Sequence, residues 1–294
     1  MSNETFFNII NEATNFGYDT FGLTPIVGEV FVDKNFMEKI NFLEKHLKVK
    51  NYSFFTNFSL ANEGIIDDLI KTKKLDELFI SLYGHNKESF LKFTGSNEKS
   101  YDTLIINLKY LLKRIKEKNH SFKLSFGLRT YQSFDSIKDC ESELCQVVKE
   151  LLRASNNHII FNKTYYNWGG YISQEDVTGL DIIINNGLDL YKKGACSLIF
   201  YKNQVLADCR INACACRDVE AKLAIGDLKY QKFKEIYSKR NTNYIKIISN
   251  QQKGKFNRIC TYCDFYRSIY KNYEVYEKYR KKQMTLKKFY QCLT

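Results

Sequence analysis

Nine cysteines stand in a chain of 294 residues, and five of them, Cys196, Cys214, Cys216, Cys260 and Cys263, fall within a 68-residue span. Cys260 and Cys263 form a CxxC, whose loop lets two thiolates converge on one metal while backbone amides point at the sulfurs. Cys214 and Cys216 form a CxC. Cys196 opens a strand-like run, SLIFYKNQVLAD, in which Asn203-Gln204 can turn. A thiol pair brought in from such a hairpin completes four ligands with the CxxC, and four thiolates suit Zn²⁺ or an iron–sulfur cluster. The competing reading is a group of buried reduced cysteines, since free Cys packs as a small hydrophobe. The clustering weighs against it. Zinc ribbons pair two CxxC knuckles. Here 43 residues separate the CxC from the CxxC, which favours a cluster in a larger domain. Cys209 is a weaker sixth candidate. Cys140 and Cys145 fall on a predicted helix at a spacing that does not aim both sulfurs at one point, and Cys292 lies near the end.

The rest of the chain must position this chemistry. Hydrophobic residues are 44% and charged residues 27%, which affords a sizeable core and excludes global disorder. The length suits one large α/β domain or two ordinary ones. The longest uncharged stretch is 12 residues, Asn51 to Asn62, too short for a membrane span of about 20. The opening MSNETFFNII has no basic region or cleavage site, so no signal peptide is expected and the cytoplasm is the expected compartment. In a reducing compartment ligation is a better reading of clustered cysteines than disulfides. The net charge of +12 is uneven: residues 228–294 hold 17 basic and 4 acidic residues. Such a segment can face an anionic partner, although a solvated lysine-rich face is the commoner case.

Hydrophobic spacing predicts helices over 4–16, 35–47, 61–73 and roughly 134–154, with a broken helical stretch over 87–118. Apolar runs at Thr20–Leu23, Asn51–Thr56, Leu78–Leu82, Phe122–Leu128 and His158–Phe161 read as strands. The β/α alternation implies a parallel sheet, which works at the carboxyl ends of its strands. The loops there contain Gly28-Glu29, Asn57-Phe58-Ser59, Gly84-His85-Asn86 and Arg129-Thr130-Tyr131. The chain begins on a helix, so the strand and loop that normally open such a sheet are expected to be missing from it. After residue 188 the alternation gives way to the cysteine-rich segment.

Taken in order, these segments resemble a radical S-adenosylmethionine enzyme with a C-terminal SPASM or twitch domain, over nearly all of residues 1–270. LTPIVGE followed by FVD is similar to the family's GGEP-type loop, FFTNFS to its TNG strand end, and LFISLYGHN to its ISLDG strand. GACSLIFYKNQVLADCRINACACRD, LAIGDL and ICTYCDFY follow the SPASM order: Cys, hairpin, Cys residues, a Gly-bearing helix start, and a CxxC. The resemblance implies an α/β fold: a partial (β/α)6-type radical SAM barrel over 1–187 without its first strand, a small α+β SPASM/twitch domain over 188–270, and a basic C-terminal helix over 271–294. It implies cofactor contacts from Gly28, Glu29, Asn57, Ser81 and Arg129, with Glu29 accepting from the cofactor's ammonium. It also implies an auxiliary 4Fe-4S cluster on Cys196, Cys214, Cys260 and Cys263, with Cys216 in reserve. Tyr262, Phe265 and Tyr266 would shield that cluster. No residue is singled out as catalytic.

Three departures qualify the resemblance. No segment has the spacing CxxxCxxC that holds the family's radical-generating 4Fe-4S cluster, so that cluster is expected only with a segment upstream of Met1. Val27 and Val30 replace the first glycine and the proline of GGEP, and Cys209 stands where the hairpin has glycine. In the family, one electron cleaves the cofactor to methionine and a 5′-deoxyadenosyl radical that abstracts a hydrogen atom from substrate. This chain by itself is expected to lack that cleavage.

The implied partners are a peptide or carbohydrate-type substrate and an electron donor such as flavodoxin or ferredoxin. A second reading is a non-catalytic iron–sulfur or zinc module whose basic end binds an anionic partner. The Tyr-Lys-Arg mixture of 271–290 could stack on bases, but an amphipathic helix packed by Tyr273, Val275, Met284, Leu286 and Phe289 explains it as well. Nucleic acid is not the expected partner.

Overall fold

The computed structural model describes residues 1–154, 158–162, 164–271 and 285–293. They form two compact units, one of residues 17–165 with 179–183, the other of 1–16, 166–178 and 184–294.

The first unit alternates strand and helix: β1 (Thr20–Gly22), α2 (Phe36–Lys45), β2 (Asn51–Thr56), α3 (Glu63–Ile70), β3 (Leu75–Tyr83), α4 (Lys87–Thr94), α5 (Glu98–Glu117), β4 (Lys123–Arg129), α6 (Glu143–Ala154) and β5 (His158–Asn162), after an N-terminal helix α1 (Asn3–Phe16) that belongs to the other unit. The five strands form one sheet in sequence order, every neighbouring pair parallel. This is the five-stranded β/α arrangement expected from the sequence. The register aligns Phe54 with Leu78, Ile80 with Phe126, and Phe126 with Ile159.

Alternation explains which face is covered. On β2, Tyr52, Phe54 and Thr56 are buried, and on β3 so are Leu78, Ile80 and Leu82. Helices α3 and α5 also bury apolar residues, among them Ile66, Leu69, Leu104, Leu108 and Leu111. The opposite face carries Phe55, Phe79, Ser81 and Tyr83 and is only partly covered: Phe55 is 46% exposed, its ring 4.3 Å from that of Phe79. Parallel sheets usually bury both faces, so a half-open one leaves room for a ligand.

Two features differ from the sequence expectation here. The helix expected from residue 134 begins at Glu143. Ser142 explains the start, because its hydroxyl accepts the Cys145 amide at 3.2 Å and also donates to the His85 carbonyl. The residues before it are therefore held against the 84–86 loop. The stretch over 87–118 is two helices, parted where Gly95 takes a left-handed φ of 61°.

The second unit contains short elements. The two-residue strand β6 (Thr164–Tyr165) ends the first unit's long segment and β7 (Ile183–Ile184) stands at the boundary; in the second unit follow α7 (Leu198–Tyr201), β8 (Gln204–Val205), β9 (Arg210–Asn212), β10 (Ala224–Asp227), α8 (Phe233–Ile236), α9 (Thr242–Gln252), α10 (Arg258–Tyr262) and α11 (Leu286–Cys292). Strands β8, β9 and β10 form an antiparallel sheet. Residues 198–201, read from sequence as strand, are helical. Their carbonyls are used from the side: Tyr244 donates its hydroxyl to the Ile199 carbonyl, and Phe200 stacks on Phe289 at 4.3 Å. Gly226, read as a helix start, lies in β10, where a Cβ would come 2.6 Å from Ile236. Of the basic C-terminal helix expected over 271–294, Leu286–Cys292 is helical, with Phe289 buried, and residues 272–284 lie outside the described residues.

Candidate functional site

The loop after β1 is fastened to the carboxyl end of β2 by one carboxylate. Glu29 Oε1 accepts from the Thr56 hydroxyl at 2.6 Å and the Phe31 amide at 3.3 Å, and Oε2 accepts from the Asn57 amide at 2.6 Å. Thr24 adds a second tie by accepting the Phe55 amide at 2.9 Å. Glu29 and Asn57 are thus brought together. One acceptor position remains on Oε2, so the carboxylate can brace the loop and still take an outside donor. Gly28, next to it, is exposed and has a φ of 118°, a conformation open mainly to glycine. The Asn57 side chain turns back on Ser59, accepting its amide at 3.0 Å and its hydroxyl at 2.7 Å.

Ser81 is half-buried on β3, opposite Gly127. Arg129 ends β4 beside Tyr83, its guanidinium 5.4 Å from the centre of that ring. Arg129 Nη1 is buried and has no hydrogen-bond partner among the described residues. A buried, unsatisfied cationic donor is costly, and an anionic ligand group would relieve it.

The neighbouring loop contains a residue that sequence reasoning passed over. His85 Nδ1 lies 2.7 Å from the Thr130 hydroxyl, and its ring stacks on Phe134 at 4.4 Å. Burial lowers the imidazole's pKa, which favours the neutral ring near pH 7. Gly84 makes the close approach possible, since a Cβ there would lie 2.4 Å from the Phe90 amide nitrogen. The His85 carbonyl gathers Cys145 Sγ at 3.3 Å and Cys140 Sγ at 3.8 Å. The two thiols therefore do meet at one point, contrary to the helical-spacing reading, because Cys140 precedes the helix. Burial, with a bond from Cys140, pushes the Cys145 thiol up to about 12.

In the other unit, Cys196, Cys214, Cys260 and Cys263, from three places in the chain, lie within electrostatic reach of one another. Cys196 bridges to Ser268, Cys214 follows β9, Cys260 lies in α10 and Cys263 caps it. Burial, and then the proximity of the thiols to one another, pushes Cys196 and Cys263 up to about 12 and moves Cys260 the same way. Cys214 is raised too, by burial and then by Cys216. Three of the sulfurs accept hydrogen bonds: Cys263 from the Phe265 amide at 3.3 Å, Cys260 from Gln251 Nε2 at 3.4 Å, and Cys196 from the Arg267 amide at 3.5 Å. Donors aimed at sulfur favour thiolate over thiol.

Cys216 is half-buried and reaches the set through Cys214. Cys209 adopts the left-handed φ of 76° that the hairpin's glycine would take, and its backbone closes the turn through Leu206 and Leu228. The turn thus keeps its geometry with a different residue. Of the aromatics beside the CxxC, Tyr266 is 1% exposed whereas Tyr262 is 40% exposed, so they do not shield equally.

Two cations enter this site. Lys192 donates to the Gly187 and Thr261 carbonyls, and burial lowers its pKa while Cys263 and Cys260 act against that. Arg217 pairs with Asp264 at 2.7 Å, side chains 7% and 1% exposed. A sequence signal existed for that pair: each knuckle is followed at once by a charge, Cys216-Arg217 and Cys263-Asp264. Buried thiols, donors aimed at sulfur and compensating cations fit an anionic thiolate-bound cluster.

No protein-family model and no curated protein matches the chain. Solved structures do. The chain is similar to anSMEcpe with bound AdoMet, at 15% identity and a TM-score of 0.54, over 89% of this chain and 76% of that one. SuiB of Streptococcus suis bound to S-adenosylmethionine gives 14%, 0.54, 89% and 64%, and SuiB has also been solved bound to the precursor peptide SuiA. BtrN in complex with AdoMet and 2-DOIA gives 10%, 0.52, 90% and 80%. The chain has the fold of these AdoMet-bound proteins. That is the fold implied by the radical SAM resemblance. Among the described residues, no helix is long and apolar enough to cross a membrane.

Proposed function

We propose that the chain is an iron–sulfur protein of the radical SAM type, in a form without the radical-cluster cysteines, that binds S-adenosylmethionine at the carboxyl ends of β1–β4 and takes a peptide as its substrate class. The observation that carries this reading is a set of four thiols within electrostatic reach of one another, with hydrogen-bond donors directed at three of the sulfurs, in a chain with the fold of AdoMet-bound proteins. Cys196, Cys214, Cys260 and Cys263 would hold one auxiliary 4Fe-4S cluster, with Cys216 outside it. When bound, such a cluster supplies one-electron transfer at a potential set by the hydrogen bonds and charges around it.

The chain's own residues bind and orient. Glu29 holds its loop on β2 and offers the remaining Oε2 position to the cofactor's ammonium. Arg129 offers Nη1 to an anionic group. Gly28 gives close access to backbone, while Asn57 and Ser81 supply polar contacts on neighbouring strands. The peptide class is supported by the SuiA complex of SuiB and by the half-open face bearing Phe55 and Phe79.

Zinc on the same thiols is the alternative, and among the described residues no three His, Cys, Asp or Glu side chains are grouped closely enough to hold a metal ion. Anaerobic reconstitution followed by metal and sulfide analysis tests the reading. About four iron and four sulfide per chain is the expected result. About one zinc per chain with little iron would overturn it and leave a structural metal protein.

Glu29→Ala should weaken S-adenosylmethionine binding about tenfold or more, the worth of one charge-assisted hydrogen bond. Equilibrium dialysis with labelled cofactor reads this. Thr56→Val is the control, because it removes a brace and leaves the acceptor. An equal loss in both variants would reduce Glu29 to a loop brace.

A further inference from the structure

Arg217 is a buried cation with an incomplete set of partners. Its Nε donates to Asp264 Oδ1 at 2.7 Å and its Nη1 to the Cys216 carbonyl at 2.9 Å. Nη2 is buried and has no hydrogen-bond partner among the described residues. Asp264 is also engaged on its other side, where Oδ2 accepts the Asn167 amide at 2.8 Å.

Water is kept away from the guanidinium by three rings. Its carbon lies 4.0 Å from the centre of Tyr166, 5.1 Å from Phe265 and 5.6 Å from Trp168. Trp168 is placed there at a backbone cost, with a φ of 50° that non-glycine residues rarely adopt. A guanidinium donor shut away from water and left unmatched is expensive. The fold nevertheless builds an aromatic enclosure around it. Besides Asp264, the sulfurs of Cys216 and Cys263 lie within its electrostatic reach.

We propose that Arg217 is a positioning residue that ties the CxC loop to the CxxC loop and donates from Nη2 to a sulfur of the cluster held there, raising that cluster's reduction potential. The proposal rests on the cluster reading above. Hydrogen bonds to thiolate or sulfide favour the reduced, more negative state of a cluster, and a fixed positive charge does the same. Through Nη1 and Nε, Arg217 connects Cys216 to Asp264 and hence to Cys263. The same side chain therefore sets both the spacing of the loops and the field at the metal.

The test is a redox titration of the reconstituted full chain followed by electron paramagnetic resonance, on wild type, Arg217→Lys and Arg217→Gln. Iron and sulfide are counted first. The expected result is a fall in midpoint potential in both variants, larger for Gln, which loses the charge as well as the fork. In wild type grown with guanidinium-¹⁵N arginine, the reduced cluster should show an ¹⁵N hyperfine coupling that Arg217→Lys lacks. If the wild type takes up the cluster but the potentials coincide and no coupling appears, the proposal is overturned while the cluster reading stands. If the wild type takes zinc or no metal, both fall, and the metal count shows it. Should Arg217→Gln fail to fold, the wild-type coupling and Arg217→Lys decide the question.

Discussion

Replacing Cys260 with serine should cut the iron and sulfide retained after reconstitution from about four of each per chain to nearly none. Cys260 is buried, is reached by Gln251 Nε2, and lies within electrostatic reach of Cys214, Cys196 and Cys263. Serine keeps the size but gives up the soft ligand that iron–sulfur clusters select. Cys196→Ser, Cys214→Ser and Cys263→Ser should behave alike. Cys216→Ser and Cys209→Ser should keep the cluster, since the amides of Cys216, Arg217 and Asp218 are directed at the Cys214 sulfur and Cys209 serves a turn. Full retention in Cys260→Ser, or loss in Cys216→Ser, would require a different ligand set. Iron, sulfide and the visible charge-transfer absorption give three independent readings.

Asp264→Ala should lower the unfolding free energy of the cysteine-bearing unit by about 3–5 kcal/mol, the loss seen when one member of a buried ion pair is removed. The Arg217–Asp264 pair is nearly solvent-free, and Asp264 also satisfies the Asn167 amide. Removing it leaves the guanidinium buried without its counter-charge. Removing both charges, as in Arg217→Met with Asp264→Leu, should recover much of the loss, because well-packed apolar pairs often replace buried ion pairs at little cost. Urea unfolding of the metal-free proteins measures the cycle without involving the cluster. A loss below about 1 kcal/mol in Asp264→Ala would mean that water reaches the pair after all.

Legibility in the sequence followed the range of the interactions. The strand Asn51–Thr56 was readable to the residue, because its alternation of Tyr52 and Phe54 with outward side chains is local. The Glu29-bearing loop was readable as a site, but the sequence does not show that Glu29 is first a brace for Thr56 and Asn57. Leu198–Tyr201 was misread because four apolar residues have no period of their own. The Tyr244 hydroxyl and the Phe289 ring, both distant in sequence, make it a helix turn. The Cys140–Cys145 pair was misread because helical spacing was applied to a residue that lies before the helix.

By itself, the sequence determined the β/α order of the first unit and the existence of a thiol-rich second part. Hydrophobic period and cysteine spacing are written along the chain and need no partner to be read. Only the tertiary structure brings Cys196, Cys214, Cys260 and Cys263 within electrostatic reach of one another, with Cys209 given to a turn. Only it placed Arg217 with Asp264 among three aromatic rings. Burial creates both results: a thiol or a charge takes its chemistry from what excludes water around it, and those neighbours come from segments far apart in the chain.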